Sequence, residues 1–348
     1  MDHFNNGANL GGWLSQYRQY DHEHFRGFIT RHDLEQIASW GMDHVRLPFD
    51  YPVLESDSAP GHYKESGFVY IDACLDWCKE FGLGLILDLH HAPGYTFTNT
   101  LRPETEHLNT LFNQEEAQER FMALWQAVAR RYKNAGVPLI HELLNEVVLP
   151  DSAPWNSLAQ RTVQAIRQID PAIPIMIGGN HYNAASELKN LELVDDPAVC
   201  HTFHFYEPLL FTHQKARWVR AAVDYDQELD YPGEFTGLGA FLERFPQWQE
   251  TYREQAGRPL DRELVREFLQ PALDWLEQTK LPLYCGEFGV IDHAPRPSIR
   301  RWHADFISML REHGIGRAVW SYKQMGFGLV DGAGRVVDEE LVRICSQP

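Results

Sequence analysis

Residues 139–146 read LIHELLNE and residues 281–289 read LPLYCGEFG. Each is a short apolar run that delivers a glutamate, Glu146 or Glu287, at or near its end. Apolar stretches of this kind, continuous rather than alternating, are the pattern of strands buried on both faces of a parallel sheet. Six further runs have the same character: Gly7–Leu14, His44–Phe49, Gly84–His90, Ile173–Gly179, Val199–Tyr206 and Gly316–Lys323.

Helical patterns separate the runs. Phe121, Trp125, Val128 and Tyr132 fall on one face behind an expected N-cap at Asn113, with Glu116 three residues on. Ile299, Trp302, Phe306 and Leu310 do the same behind Ser298, and Thr30 opens a helix that stops at Gly41. Eight strands alternating with helices predict a (β/α)8 TIM barrel, an α/β fold, spanning residues 1–348 as a single domain. A doubly wound open sheet is the alternative, but no GxGxxG follows an early strand. One connection is long: residues 207–280 form an expected insertion after the sixth strand, with a helix around Arg262–Gln278. Such a segment at the mouth of a barrel shapes the pocket.

Composition bounds the partners. The 348 residues carry 31 basic and 49 acidic side chains, a formal net charge of −18. A field of that sign repels phosphate backbones and anionic membrane surfaces, so neither nucleic acid nor membrane is an expected partner. A neutral carbohydrate is not disfavoured. The five cysteines are scattered, and Cys74 and Cys78 lack the second pair a zinc site needs, so free buried thiols are expected. No apolar run approaches the ~20 residues of a membrane span. The N-terminal stretch MDHFNNGANLGGWL has no basic n-region or apolar h-region, which leads us to expect a cytoplasmic protein, or a secreted or periplasmic one if an export signal was trimmed.

Active sites of barrels gather at the C-terminal ends of their strands. There this sequence places Arg46, His90, Asn145 with Glu146, His204 with Tyr206, Glu287 and Trp320. A lone strand-end histidine is usually structural and a lone tryptophan is usually core. Two strand-end glutamates are harder to dismiss, because glutamate is almost never buried unpaired. A glycosidic bond breaks through an oxocarbenium-like transition state that needs an acid on the leaving oxygen and a carboxylate at the anomeric carbon. Arg46 and Tyr206 near Glu287 would keep it ionised, and Glu146, with no such cation in view, would hold the proton. Asn145 could bond a sugar 2-hydroxyl, His90 and His204 suit other hydroxyls, and Trp320 offers a flat face to a ring.

From NLGGWL at 9–14 through HVRLPF, DLHHAPG, LLNE, HFY and GEFG to VWSYK at 319–323, the chain resembles glycoside hydrolase family 5, the cellulase family of retaining β-glycosidases. LNE and GEFG at two strand ends are the specific part. The resemblance implies that Glu146 is the acid/base and Glu287 the nucleophile of a double displacement. It implies that Arg46, His90, Asn145, His204, Tyr206 and Trp320 surround the sugar being cleaved, and that no cofactor is needed. β-Glucan is the expected substrate, with other β-glycans, glycolipid sugars and furanosides as alternatives, and the long insertion makes exo action an expectation. Val147 stands where many members have Pro, and His91 where the glucanase branch often has Gly; neither departure touches the mechanism, and the one at His91 bears on specificity. His91, Trp155 and His181 are further candidates for substrate contact. Cys285, two residues before Glu287, is expected on the same strand face but has no motif of a nucleophile.

Other classes compete. Seventeen histidines allow a metal-dependent hydrolase, but His22 and His24 read as loop, and His201 and His204, three apart in a strand, face opposite sides. We therefore assign no metal ligands. A sugar-binding barrel without catalysis would have lost a carboxylate. A phosphate-handling barrel would need basic residues near the glycine-rich MGFGLVDGAG, and none cluster there.

Overall fold

Eight parallel strands close on themselves in the computed structural model, which describes residues 3–101 and 103–348. They are β1 (Asn6–Asn9), β2 (His44–Asp50), β3 (Gly84–His91), β4 (Leu139–Glu142), β5 (Ile175–Gly178), β6 (Val199–Phe205), β7 (Leu283–Phe288) and β8 (Gly316–Val319). Each pairs with its successor and β8 pairs with β1, so the expected (β/α)8 barrel is the fold. The main outer helices are α1 (Arg31–Ser39), α2 (Glu65–Phe81), α3 (Glu115–Tyr132), α4 (Ala153–Arg167), α5 (Arg262–Thr279), α6 (Arg296–Glu312) and α7 (Glu339–Cys345). A 3-10 turn at Ala185–Asn190 stands where a helix would follow β5.

Local chemistry sets the helix ends. Thr30 and Asp33 form a reciprocal capping box on α1. Gly82, at φ +71°, ends α2 in the left-handed conformation that costs glycine little. Two expected starts are corrected. Gln114, not Asn113, caps α3. α6 begins at Arg296 with Pro297 in its first turn, so Ser298 lies inside it and bonds Asp230. His22 and His24 belong to a short helix rather than a loop, and they bond Tyr70 and the Gly12 carbonyl separately.

Several strands are shorter than their apolar runs. The ladder of β4 ends at Glu142, so Asn145 and Glu146 follow the strand instead of ending it. The chain stays beside the sheet, with Leu143 N–H bonded to the Met176 carbonyl and Asn145 N–H to that of Leu89. It then turns out at Glu146, whose φ of +23° is a sparsely populated value costing a non-glycine residue about 1–3 kcal/mol. Trp320 likewise stands just past β8, and Gly7–Leu14 contributes only β1. The insertion is also shorter than expected. Residues 207–261 make the excursion, and Arg262–Thr279 is the outer helix α5, packed against α6. The excursion lies over α6, where Tyr231 donates to Asp305 and Arg301 donates to the Tyr231 carbonyl.

The barrel interior is layered. Its floor is apolar: Phe4, Ile86, Ile140, Met176, Cys200, Tyr284 and Ala318. Above it lie Arg46, Asp88 and Glu142, all fully buried. The site occupies the top. The larger apolar cluster fills the space between barrel and helices. All five cysteines are free and buried.

Candidate active site

Strand alternation points Arg46, Asp88, Glu142 and His204 into the barrel. Glu287 reaches it differently. The pairing of β6 with β7 runs Phe203 to Cys285 and then His204 to Glu287, so Gly286 is an extra residue in β7. This bulge re-aims the strand. Cys285 therefore packs in the outer apolar cluster while Glu287 faces inward, which corrects the expectation that the two share a face. The bulge is tight: a Cβ there would lie 2.9 Å from Thr202 Oγ1 and 3.1 Å from His204 Nε2, so a side chain at this position would push on both.

One guanidinium organises the cluster. Arg46 Nη1 donates to Glu287 Oε1 at 2.7 Å and to Asn9 Oδ1 at 2.9 Å. Its Nε and Nη2 grip Glu142 at 2.7 and 2.9 Å, and Nη2 also donates to Asn145 Oδ1 at 3.0 Å. Asp88 Oδ2 stands 3.0 Å from Nη2. Tyr206 donates its hydroxyl to Glu287 Oε2 at 3.0 Å. His204 Nδ1 lies 2.9 Å from Glu146 Oε1 and 3.7 Å from Glu287 Oε2. Tyr95 donates to the Glu146 carbonyl and accepts from Val148 N–H, which fixes the turn that carries Glu146.

The two glutamates differ in environment. Burial raises Glu146 well above the usual carboxylate range, and the charge of Glu287 pushes it further. Burial also raises Glu287, but Arg46 and the bonds from Tyr206 and Arg46 pull it back. Of the two, Glu146 is the better proton holder and Glu287 the better anion. Burial raises Asp88 and Glu142 to about 7, against the pull of Arg46. One cation cannot neutralise three buried carboxylates, so the middle layer binds protons readily.

Buried donors and acceptors stand ready around the pair. His90 Nε2, Asn145 Nδ2 and His204 Nε2 have no partner among the described residues. Trp320 lies parallel to the His90 ring, at 5° and 6.0 Å. A second group, His91 with Asp50 at 3.1 Å, lines a neighbouring hollow of about 230 Å³. His181 lies away from the glutamates, in a hollow of about 400 Å³ with Asp151, Asn156 and Glu187. Trp155 is scaffold: it is fully buried, donates to the Gly178 carbonyl at 2.8 Å and packs on Phe112. That corrects its expected place beside the substrate. His201 packs outside the barrel on Trp275, opposite to His204 as expected.

Glu146, His204 and Glu287 each bring a ligand atom within 4.8 Å of the others, and a divalent ion could geometrically take that set. The Arg46 guanidinium, already 2.7 Å from Glu287, puts fixed positive charge beside any such ion. Sequence reasoning missed Asn9, Asp88, Glu142 and Tyr95. Asp88 and Glu142 were visible as charged residues inside otherwise apolar strands.

The family model for cellulase (glycosyl hydrolase family 5) matches residues 5–326. Endoglucanase C of Acetivibrio thermocellus is 47% identical over 347 residues, covering 100% of this chain and 99% of the relative. Cellodextrinase A of Ruminococcus flavefaciens is 35% identical over 314 residues, 89% of this chain and 83% of the relative. The Thermotoga maritima Cel5A structure in complex with cellobiose superposes with a TM-score of 0.77 at 24% identity, covering 99% of this chain and 98% of that one, a likeness of fold. The chain belongs to the cellulase family, glycosyl hydrolase family 5. It is a glycosidase whose substrate is a carbohydrate. Among the described residues no helix is long and apolar enough to cross a membrane.

Proposed function

We propose that the protein hydrolyses β-1,4-linked glucans and their short oligosaccharides with net retention of configuration. The observation that carries this reading is the closeness of the two carboxylates, which bring oxygens within 4.8 Å of each other. Retaining enzymes hold the pair about 5–5.5 Å apart, while inverting enzymes leave about 6.5–9.5 Å for a water molecule. The family's named relatives, an endoglucanase and a cellodextrinase, support glucan as the substrate.

Glu287 attacks the anomeric carbon, and Glu146 gives its proton to the departing glycosidic oxygen. The bond to the leaving sugar breaks and a glycosyl ester of Glu287 forms. Glu146, now ionised, takes a proton from water as the water oxygen attacks the same carbon. The ester breaks, the sugar leaves with its original configuration, and both carboxyls return to their starting states. Arg46 and Tyr206 favour the ionised form of Glu287 against the burial that raises it to about 7. Asn145 and His90 meet sugar hydroxyls, and Trp320 lies under the ring. His204, with Nδ1 on Glu146 and Nε2 against Gly286, orients Glu146 instead of meeting a hydroxyl. His91 and His181, each lining its own hollow, meet further sugar units.

Exo action is a second reading, favoured by the wall that the 207–261 segment builds on one side of the mouth. There His213 packs on Tyr206 and Phe327, and the exposed Trp218 stands beside it. One activity panel tests both readings: wild type and Glu287→Ala on aryl β-glycosides, furanosides and defined cello-oligosaccharides. We expect turnover of β-glucosidic substrates that is lost in the variant. Turnover surviving in Glu287→Ala overturns the assignment, and a ladder of intermediate products from a long substrate overturns exo action.

A further inference from the structure

The reaction needs only Glu146 and Glu287, yet a third carboxyl lies directly beneath the site. Asp88 is fully buried, two residues before His90 on the same inward face of β3. Its Oδ2 touches two groups at once: His90 Nδ1 at 2.9 Å and Arg46 Nη2 at 3.0 Å. We propose that Asp88 is a positioning residue that locks His90 in its Nδ1–H tautomer, so that Nε2 presents a lone pair to the substrate and accepts a hydrogen bond from a sugar hydroxyl.

The argument is electrostatic and geometric. A guanidinium only donates and is always charged. With that cation 3.0 Å away, Oδ2 is the oxygen that carries negative charge, not a proton. The hydrogen between Oδ2 and His90 therefore resides on Nδ1. A proton taken up by Asp88 goes to Oδ1, the oxygen not shared with Arg46, and leaves Oδ2 an acceptor as before. Neutral imidazole carries one proton, so Nδ1–H leaves Nε2 bare. Burial and the positive charge of Arg46 also hold His90 well below its ordinary range, in the neutral form. With Nδ1 turned down the barrel toward Asp88, Nε2 is the end presented upward. It is buried and unpartnered among the described residues, beside the Trp320 ring.

The consequence is a requirement on the substrate. Asn145 Nδ2 is a donor and meets an acceptor lone pair. His90 instead demands a hydroxyl that donates. Fluorine in that position cannot satisfy it, although fluorine can accept.

The inference rests on the glycosidase reading only for the identity of the ligand, and the deciding measurement needs no ligand. The full-length protein labelled with ¹⁵N-histidine is examined by long-range ¹H–¹⁵N correlation of the imidazoles, with His90 assigned from the signals lost in His90→Gln. We expect a protonated Nδ1 and a bare Nε2 in wild type and in Asp88→Asn, whose side-chain oxygen can take the place of Oδ2. In Asp88→Ala the lock is gone and the Nε2–H form appears. A wild-type spectrum showing Nε2–H overturns the proposal, whether or not either variant folds.

A kinetic arm reads the same device. Aryl β-cellobiosides carry hydrogen or fluorine in place of the 3- or 6-hydroxyl of the sugar at the cleavage point. At the hydroxyl that His90 meets, both replacements should cost wild type about tenfold in kcat/KM, and both penalties should shrink in His90→Ala. Fluorine tolerated clearly better than hydrogen at both positions, with that difference lost in His90→Ala, marks His90 as a donor and overturns the proposal. Failure to turn over the parent cellobioside counts against the glucan reading alone, because the spectrum stands independently of it.

Discussion

Replacing Tyr206 with phenylalanine removes one atom from the site. The ring keeps its contacts with His213 and Phe327, at 5.0 and 6.0 Å between centroids. What disappears is the 3.0 Å bond from the hydroxyl to Glu287 Oε2. Arg46 still holds the other oxygen. A hydrogen bond to a charged group is worth about 1.5–3 kcal/mol, which is about 1–2 pH units of displaced titration. The bond favours the ionised carboxylate, so its loss raises the pKa of Glu287. In the proposed mechanism Glu287 must be ionised to attack, and its titration sets the acid limb of kcat/KM. That limb should therefore move to higher pH by about 1–2 units in Tyr206→Phe. The alkaline limb, set by loss of the proton from Glu146, should move much less. The assay is kcat/KM for an aryl β-cellobioside from pH 4 to 9. A uniform loss of rate with the acid limb unmoved would refute the reasoning, because the hydroxyl would then act somewhere other than on Glu287.

Other expectations follow from the same geometry. Glu146→Ala should lose most of its activity on unactivated oligosaccharides but keep the first chemical step on dinitrophenyl glycosides, whose leaving group needs no proton. Added azide should restore turnover and yield the glycosyl azide of retained configuration, and an inverted azide would contradict the assignment. Glu142→Gln tests the middle layer. Burial raises the Glu142 carboxyl to about 7, so its contribution to stability is full below the unfolded value and is lost as pH rises through 7. The destabilisation caused by the variant in denaturant unfolding should be smaller at pH 7.5 than at pH 4.5 by about 3 kcal/mol, and a penalty that grows with pH reverses the sign of the argument. Trp155→Phe should lower stability by about 1–3 kcal/mol, by leaving the Gly178 carbonyl unpaired, with KM unchanged. A severalfold rise in KM would place Trp155 at the substrate after all.

The fold was legible because strands buried on both faces leave continuous apolar runs. The gathering of Arg46, His90, Asn145, Glu146, His204, Tyr206, Glu287 and Trp320 was legible because a barrel delivers strand ends to one mouth. What was not legible depended on local departures from the ideal strand. Period-two alternation puts Cys285 and Glu287 on one face, and only the bulge at Gly286 separates them. The run LIHELLNE reads as one strand, but its ladder stops at Glu142, and the φ of Glu146 cannot be inferred from residue type. Trp155 sits in a loop-like stretch beside the motif, yet it belongs to α4 and faces the core. Asp88 and Glu142 carried a signal that went unused, namely charge inside an otherwise apolar strand. Charge there needs a buried partner, and Arg46 on strand β2 supplies it.

The central claim is that Glu287 attacks sugar carbon directly, with Glu146 as its proton partner. The most direct test is the anomeric configuration of the first product released from an aryl β-cellobioside, followed by ¹H NMR before mutarotation. The account predicts that the β-anomer appears first and the α-anomer only later, as equilibration proceeds. The α-anomer appearing first would mean that water, not Glu287, attacks the substrate, and the retaining mechanism built on these two glutamates would be wrong.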